Sequence, residues 1–85
     1  MYRVLLRPPA QKFLRKLRDK SLTGRLVEAM RSLASDPRPP GCDKLASPEE
    51  FYRVRIGEYR IIYQVHDDVL LVLVVKIGHR REVYR

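Results

Sequence analysis

The sequence has little of what small domains use for covalent or metal stabilisation: it contains one cysteine, Cys42, and no tryptophan. One cysteine excludes an internal disulfide and a zinc site built from several cysteines. The absence of a disulfide is typical of proteins that fold in a reducing cytosol. The longest apolar run, Val69 to Val75, is far shorter than a membrane span, which needs about 20 residues. The first nine residues lack the apolar core of a signal peptide. We therefore expect a cytoplasmic protein that does not enter a membrane.

Acidic residues are also scarce, with ten Asp and Glu against 18 Lys and Arg, which gives a net charge of +8. Thirteen of the basic residues are arginine, whose planar fork binds phosphate in bidentate fashion, so the excess favours nucleic acid as a partner. A basic domain neutralised by an acidic protein partner is the alternative. With 45% hydrophobic residues, the 85 residues are too apolar for a disordered tail and predict one domain, 1–85. Because a domain of this size has no room for a large enclosed cavity, we expect its chemistry to take place on an open face.

Hydrophobic periodicity predicts an α+β fold with the element order β-α-α-β-β-β. The predicted elements are a strand over Tyr2–Leu6, a helix from Pro9, a helix over Leu22–Ala34 capped by Asp19 or Ser21, a loop over Pro37–Pro48, and strands over Phe51–Ile56, Tyr59–His66 and Val69–Ile77. The simplest arrangement is an antiparallel sheet with the two helices, as a hairpin, on one face. No cluster of His, Asp and Glu has the spacing of metal ligands, so we expect no metal and no cofactor.

Two of the predicted strands carry arginines on the face turned away from the helices. Alternation places Arg53 and Arg55 on that face of one strand and Arg60 on the same face of the next. If Gly57 and Glu58 form a two-residue turn, Arg55 pairs directly with Arg60, which costs up to about 1 kcal/mol for like charges. An anion bound between them offsets that cost, so the pair indicates a phosphate site. The alternative is that the side chains simply extend into solvent.

The end of the chain adds further basic residues and an aromatic ring near the same place. This tail contains Lys76, His79, Arg80, Arg81, Tyr84 and Arg85. In an antiparallel sheet the end of the last strand lies beside the start of the previous one, so Gly78 to Arg80 should approach Tyr59 and Arg60. Cations that hold a backbone and a ring that stacks on a base are what single-stranded RNA binding requires.

Several segments together resemble the RelE/ParE superfamily of toxins, and RelE in particular. They are Leu45, FYRVRI at 51–56, GEYRIIYQV at 57–65, VKIGHR at 75–80 and EVY at 82–84. The resemblance covers nearly the whole chain and implies a ribosome-dependent mRNA endonuclease that cuts in the A site and is held by an antitoxin. It implies an active face with two basic residues before the hairpin turn (Arg53, Arg55), one after the turn (Arg60), one after the last strand (Arg80) and a tyrosine near the end (Tyr84).

The chemistry implied by the resemblance is attack of the RNA 2′-hydroxyl on the adjacent phosphorus. Arg60 and Arg80 suit the phosphate charge, Arg53 and Arg55 suit the scissile phosphate or the leaving oxygen, and Tyr84 suits base stacking or proton transfer. Arginine is a poor general base because it stays protonated, and RelE proteins often have lysine at the positions of Arg53 and Arg55. We therefore add His79 as a candidate base.

Three further residues are predicted to contact RNA: Lys76, Arg81 and Arg85. Some members of the family carry a helix after the position of Tyr84, and this sequence is expected to lack it. The expected partners are an acidic, RelB-like antitoxin in a hetero-oligomer, the ribosome and mRNA. The alternative functions are a ParE-like inhibitor that binds DNA gyrase without cutting RNA, an inactive relative, and a simple RNA-binding module.

Overall fold

The computed structural model describes residues 1–46 and 50–83 of the chain. Its strands are β1 (Arg3–Leu6), β2 (Asp43–Lys44), β3 (Phe51–Ile56), β4 (Tyr59–His66) and β5 (Leu71–His79), and its helices are α1 (Pro8–Lys16), α2 (Lys20–Ser32) and α3 (Arg80–Val83). A short 3₁₀ turn, Asp67–Val69, joins β4 to β5. Within these described ranges, no helix has the length and apolar character needed to cross a membrane.

The five strands form one mixed sheet in the order β1-β5-β4-β3-β2. The predicted α+β fold is confirmed, but the sheet is not wholly antiparallel, because β1 runs parallel to β5 with Arg3 opposite Leu71. The connection from β1 to β5 is long, as a parallel pairing requires, because α1, α2 and β2 to β4 all lie between these two strands in the chain. The short strand β2 lies inside the segment predicted as a loop and pairs with Tyr52 and Arg53 of β3.

The core lies between the sheet and the two helices. Leu26 and Met30 of α2 and Ala10 of α1 pack with Tyr63 and Ile61, which alternation places on the inner face of β4. The first turn of α2 is capped by Asp19, whose carboxylate accepts a hydrogen bond from the backbone N–H of Leu22. Only one face of the sheet is covered by helices α1 and α2, and that leaves the arginine-bearing face of β3 and β4 available for a site.

The β3–β4 hairpin has the predicted register. Gly57 and Glu58 form the turn, with Ile56 opposite Tyr59 and Arg55 opposite Arg60. Gly57 takes a φ of +59°, as the first central residue of a type II′ turn requires, and this favours glycine there. The predicted approach of the chain end is also confirmed, since β5 places Gly78 opposite Arg60 and His79 opposite Tyr59.

A polar network at the opposite end of the sheet ties the loop after α2 to the β4–β5 connection. Arg38 donates from its two terminal nitrogens to the carboxylate of Asp67, at 3.2 and 2.8 Å. The Tyr2 hydroxyl donates to the same carboxylate, while the buried Tyr63 hydroxyl donates to the carbonyl of Pro37 at 2.8 Å. These bonds fix the path of the proline-rich segment that leads into β2.

The hydrogen bonds from Arg38 and then Tyr2 lower the pKa of Asp67 to about 2. A carboxylate whose pKa falls on folding stabilises the fold above its unfolded pKa, and that stabilisation is lost as the pH falls from about 4 through about 2. We therefore expect the free energy of unfolding of wild type to exceed that of Asp67→Asn near pH 6, and the difference to shrink across this range. Urea unfolding of both proteins from pH 6 to pH 2 measures it. Arg38→Gln should reduce the same pH dependence to the smaller part that Tyr2 contributes, and a difference between wild type and Asp67→Asn that stays constant with pH would contradict this assignment.

Candidate functional site

Three arginines share the sheet face that α1 and α2 do not cover. Arg53 and Arg55 project from β3, and Arg60, directly opposite Arg55, projects from β4. Arg80 follows the last residue of β5, next to Gly78, which pairs with Arg60. We call Arg53, Arg55, Arg60 and Arg80 the arginine face. The structure therefore brings together the four arginines predicted to form the site.

Arg60 is the most unusual member of the arginine face, because it is only 8% exposed. Its Nη1 donates to the carbonyls of Gly57 and Tyr59, at 3.3 and 3.1 Å. Its buried Nε has no hydrogen-bond partner in the part of the chain that the structure describes. Burial first, then the positive charges of Arg55, Arg53 and Arg80, lower the pKa of Arg60. A buried cation beside like charges costs folding free energy, so this geometry is one that an anion stabilises.

An acidic residue, Asp43 of β2, lies among the arginines. Arg53 donates to Asp43 Oδ2 through Nη2 at 2.7 Å and Nε at 3.3 Å, and its side chain is 14% exposed. Arg55 lies 3.7 Å from the same oxygen and is far more open, with 58% of its side chain exposed. The hydrogen bond from Arg53 and the charge of Arg55 lower the pKa of Asp43, so it is ionised at neutral pH and neutralises part of the arginine face.

Arg80 is held by the hairpin turn. Its Nε lies 3.0 Å from a carboxylate oxygen of Glu58, and its backbone N–H donates to the Glu58 carbonyl at 2.8 Å. The start of α3 is therefore fixed against the turn that separates Arg55 from Arg60. Since the Glu58 carboxylate and the Arg80 side chain are both largely exposed, water screens this pair and its ion-pair strength is small.

The other predicted residues lie in different places. His79 pairs with Tyr59 and shares its face, with the two rings edge to face at 5.5 Å, so it points to the helix side and away from the arginine face. Its Nδ1 accepts a hydrogen bond from the backbone N–H of Arg81, which is exposed on α3. Lys76 is exposed opposite Ile62, on the arginine side of the sheet. Tyr84 and Arg85 lie outside the described residues.

Sequence reasoning missed the two carboxylates of the site. Asp43 stands in a Pro- and Gly-rich segment, and a strand of two residues is too short for alternation to assign a face. Glu58 was interpreted only as a turn residue, although its place between Arg55 and Arg60 in sequence predicts an ion pair with a nearby cation. No group of three or more potential metal ligands occurs among residues 1–46 and 50–83.

The arginine face can bind a phosphate and stabilise additional negative charge on it. Arg60 offers a buried guanidinium with a free N–H, and Arg55 offers an exposed one at the opposite position of the hairpin. Donors fixed in a poorly hydrated place stabilise developing charge better than water does, because they need no reorientation. The two carboxylates of the site are already engaged, Asp43 by Arg53 and Glu58 by Arg80.

Comparison with known proteins places the chain among bacterial and archaeal toxins. Residues 4–84 match the family described as the ParE toxin of type II toxin–antitoxin systems, parDE. A putative RelE-like toxin protein of Escherichia coli is 30% identical over 93% of this chain and 83% of its own length. Toxin RelG of Mycobacterium tuberculosis is 26% identical over 99% of this chain and 97% of its own length.

Solved structures show the same fold. The archaeal RelE–RelB complex from Pyrococcus horikoshii contains a chain that superposes with a TM-score of 0.81 at 30% identity, covering 93% of this chain and 94% of that one. A chain of the intact E. coli RelBE toxin–antitoxin complex superposes with a TM-score of 0.80 at 26% identity, covering 93% and 96%. The first structure is named as a complex of RelE with RelB, and the second as a toxin–antitoxin complex.

Proposed function

Because the chain belongs to the ParE toxin family of type II toxin–antitoxin systems, within the RelE/ParE superfamily, we propose that it is a ribosome-dependent endoribonuclease that cleaves mRNA in the A site and so stops translation in the cytoplasm. The observation that supports this activity is Arg60, a buried guanidinium whose Nε has no partner in the described part of the chain and whose neighbours are cations. Such a group destabilises the free protein, and a bound phosphodiester compensates for it. A toxin that acted through protein contacts alone would not need it.

The proposed reaction is transesterification by the RNA itself. The 2′-hydroxyl oxygen attacks the adjacent phosphorus, the bond from phosphorus to the 5′-oxygen breaks, and a 2′,3′-cyclic phosphate forms. The 2′ proton leaves to a base, and the 5′-oxygen takes up a proton. Arg60 and Arg80 stabilise the extra negative charge of the transition state, and Arg53 and Arg55 hold the phosphate or the leaving oxygen.

The position of His79 in the sheet disfavours it as the base that takes the 2′ proton. His79 packs on Tyr59 at the helix side of the sheet, so its imidazole does not face the phosphate held by Arg60. Tyr84 remains the proposed group for base stacking or proton transfer, and Lys76, Arg81 and Arg85 the proposed contacts to the RNA backbone. The ribosome is proposed to present the mRNA so that the 2′-hydroxyl, the phosphorus and the leaving oxygen align.

The proposed protein partner is an acidic, RelB-like antitoxin that forms a hetero-oligomer with this chain. The net charge of +8 favours a partner of opposite sign. Similar chains occur in structures with RelB antitoxins, which supports the same kind of assembly here.

A translation reaction with a defined mRNA tests the proposed activity. Primer extension should show cleavage within the codon in the A site when ribosomes are present. The second candidate, gyrase inhibition, is favoured by the ParE description of the matched family, and a DNA supercoiling assay with purified gyrase tests it in parallel. Intact mRNA together with blocked supercoiling would replace the nuclease by a ParE-like inhibitor.

A further inference from the structure

A second basic groove lies beside the arginine face, between α2 and the outer edge of β3. Its volume is about 600 Å³, and Arg25, Arg55 and Gly57 line it together with Ser21, Glu28 and Ser32. Arg55 belongs both to this groove and to the arginine face. The two surfaces are therefore continuous at Arg55.

Arg25 reaches from α2 across the groove to the hairpin turn. Its two terminal guanidinium nitrogens lie 3.5 and 3.9 Å from the position that a Cβ on Gly57 would occupy, so the Arg25 side chain ends in contact distance of the turn. Arg25 is exposed, and no carboxylate of the described residues lies within ion-pair distance of it. Glu28 is the acidic residue in the lining of this groove.

The edge of β3 adds a backbone donor to the same groove. In a two-residue hairpin Ile56 and Tyr59 bond to each other, so the N–H and C=O of Arg55 point outward, away from β4. Strand β2 pairs only with Tyr52 and Arg53, and no described strand covers the edge at Arg55. The Arg25 guanidinium, the outward N–H of Arg55 and the Ser21 hydroxyl form a donor set that fits the oxygens of a phosphate.

We propose that this groove is a second RNA phosphate site, in which the Arg25 guanidinium and the outward backbone N–H of Arg55 hold a phosphodiester next to the one bound on the arginine face. The proposal rests on the proposed endoribonuclease function and adds a phosphate contact outside the arginine face. The phosphodiester belongs either to the mRNA or to ribosomal RNA, and the chemistry of recognition is the same for both.

The test compares Arg25→Gln with Arg31→Gln, a matched change on the same helix, since Arg31 lies against a different groove, lined by Val4 and Leu6. One probe is a single-stranded RNA with a 2′-deoxy group at the cleaved position, and the other is the ribosome without mRNA. We expect Arg25→Gln to weaken binding of one probe about fivefold at 0.1 M salt, as for loss of one charge-assisted contact. The slope of log affinity against log salt should fall by about 0.7, the value for one phosphate on a single strand.

The probe that responds identifies the source of the phosphate. A loss with the short RNA assigns it to mRNA, and a loss with the ribosome alone assigns it to ribosomal RNA. Equal behaviour of Arg25→Gln and Arg31→Gln on both probes overturns the proposal, and so does a loss confined to the complex with an acidic antitoxin. If wild type binds RNA through Arg25 but leaves mRNA intact on the ribosome, the nuclease proposal fails while the second phosphate site stands.

Discussion

Arg60→Met should reduce the rate of mRNA cleavage on the ribosome at least about 100-fold, as for loss of one preorganised donor to developing charge, while the protein remains folded. Methionine replaces a buried side chain of similar length without a charge. It removes the unpartnered Nε and the repulsion from Arg53, Arg55 and Arg80. Replacement of a buried charge by an apolar group of similar size is often neutral or stabilising, so the midpoint of thermal unfolding should stay at the wild-type value or rise by up to about 8 °C.

The two measurements are single-turnover cleavage of ribosome-bound mRNA and thermal unfolding followed by circular dichroism. Arg60→Lys is the matched variant, because it keeps the charge but loses the fork that binds two phosphate oxygens. It should cleave faster than Arg60→Met and slower than wild type. Normal cleavage by Arg60→Met would remove the site assignment, and a large loss of stability would show that Arg60 serves the fold.

The hairpin was predictable because its determinants are local. Alternation in FYRVRI and YRIIYQVH assigns the two faces, and a glycine at the first turn position fixes the register at Arg55 and Arg60. The burial of Arg60 was not predictable from that pattern, which treats both arginines as exposed. Burial depends on how the side chain folds back onto the carbonyls of Gly57 and Tyr59, and alternation along a strand does not encode that conformation.

The placement of His79 and of β1 shows where the sequence pattern was insufficient. The last strand was predicted to end at Ile77, but it continues to His79, and two more residues of alternation put the imidazole on the side of Tyr59. The pairing of β1 with β5 joins the two ends of the chain across both helices. Neither strand contains information about the direction of its partner, so only the assembled sheet determines that the pairing is parallel.

Asp43 suggests why the arginine face is stable before substrate binds. Its carboxylate satisfies Arg53 and lies near Arg55, in the position that an anionic ligand of these arginines would take. A phosphate that binds both arginines must therefore compete with Asp43. Under the proposed function, we expect the ion pair to stabilise the free protein and to lower its affinity for RNA.

Asp43→Asn should accordingly tighten binding of the uncleavable single-stranded RNA by about tenfold, since like-charge repulsion of phosphate and competition for the arginines are both removed. The slope of log affinity against log salt should become steeper by about 0.7 for each arginine newly engaged with phosphate. Because the pKa of Asp43 is lowered, acid reproduces the substitution only below the ordinary carboxylate range. The difference in RNA affinity between wild type and Asp43→Asn should therefore persist unchanged from pH 8 to pH 5.

Asp68→Asn is the matched control for Asp43→Asn, because it changes the net charge by the same amount in the exposed turn after β4, at the far end of that strand from Arg60. General attraction between a basic protein and RNA predicts an equal gain for both variants, whereas a carboxylate that competes within the arginine face predicts a gain for Asp43→Asn alone. Equal gains would therefore refute the competition and leave Asp43 as a structural partner of Arg53. A gain confined to Asp43→Asn would instead mean that the Asp43 carboxylate keeps Arg53 and Arg55 paired until the ribosome presents the mRNA, and that this pairing lowers the affinity for RNA. Such a role would account for a carboxylate in the middle of a phosphate site.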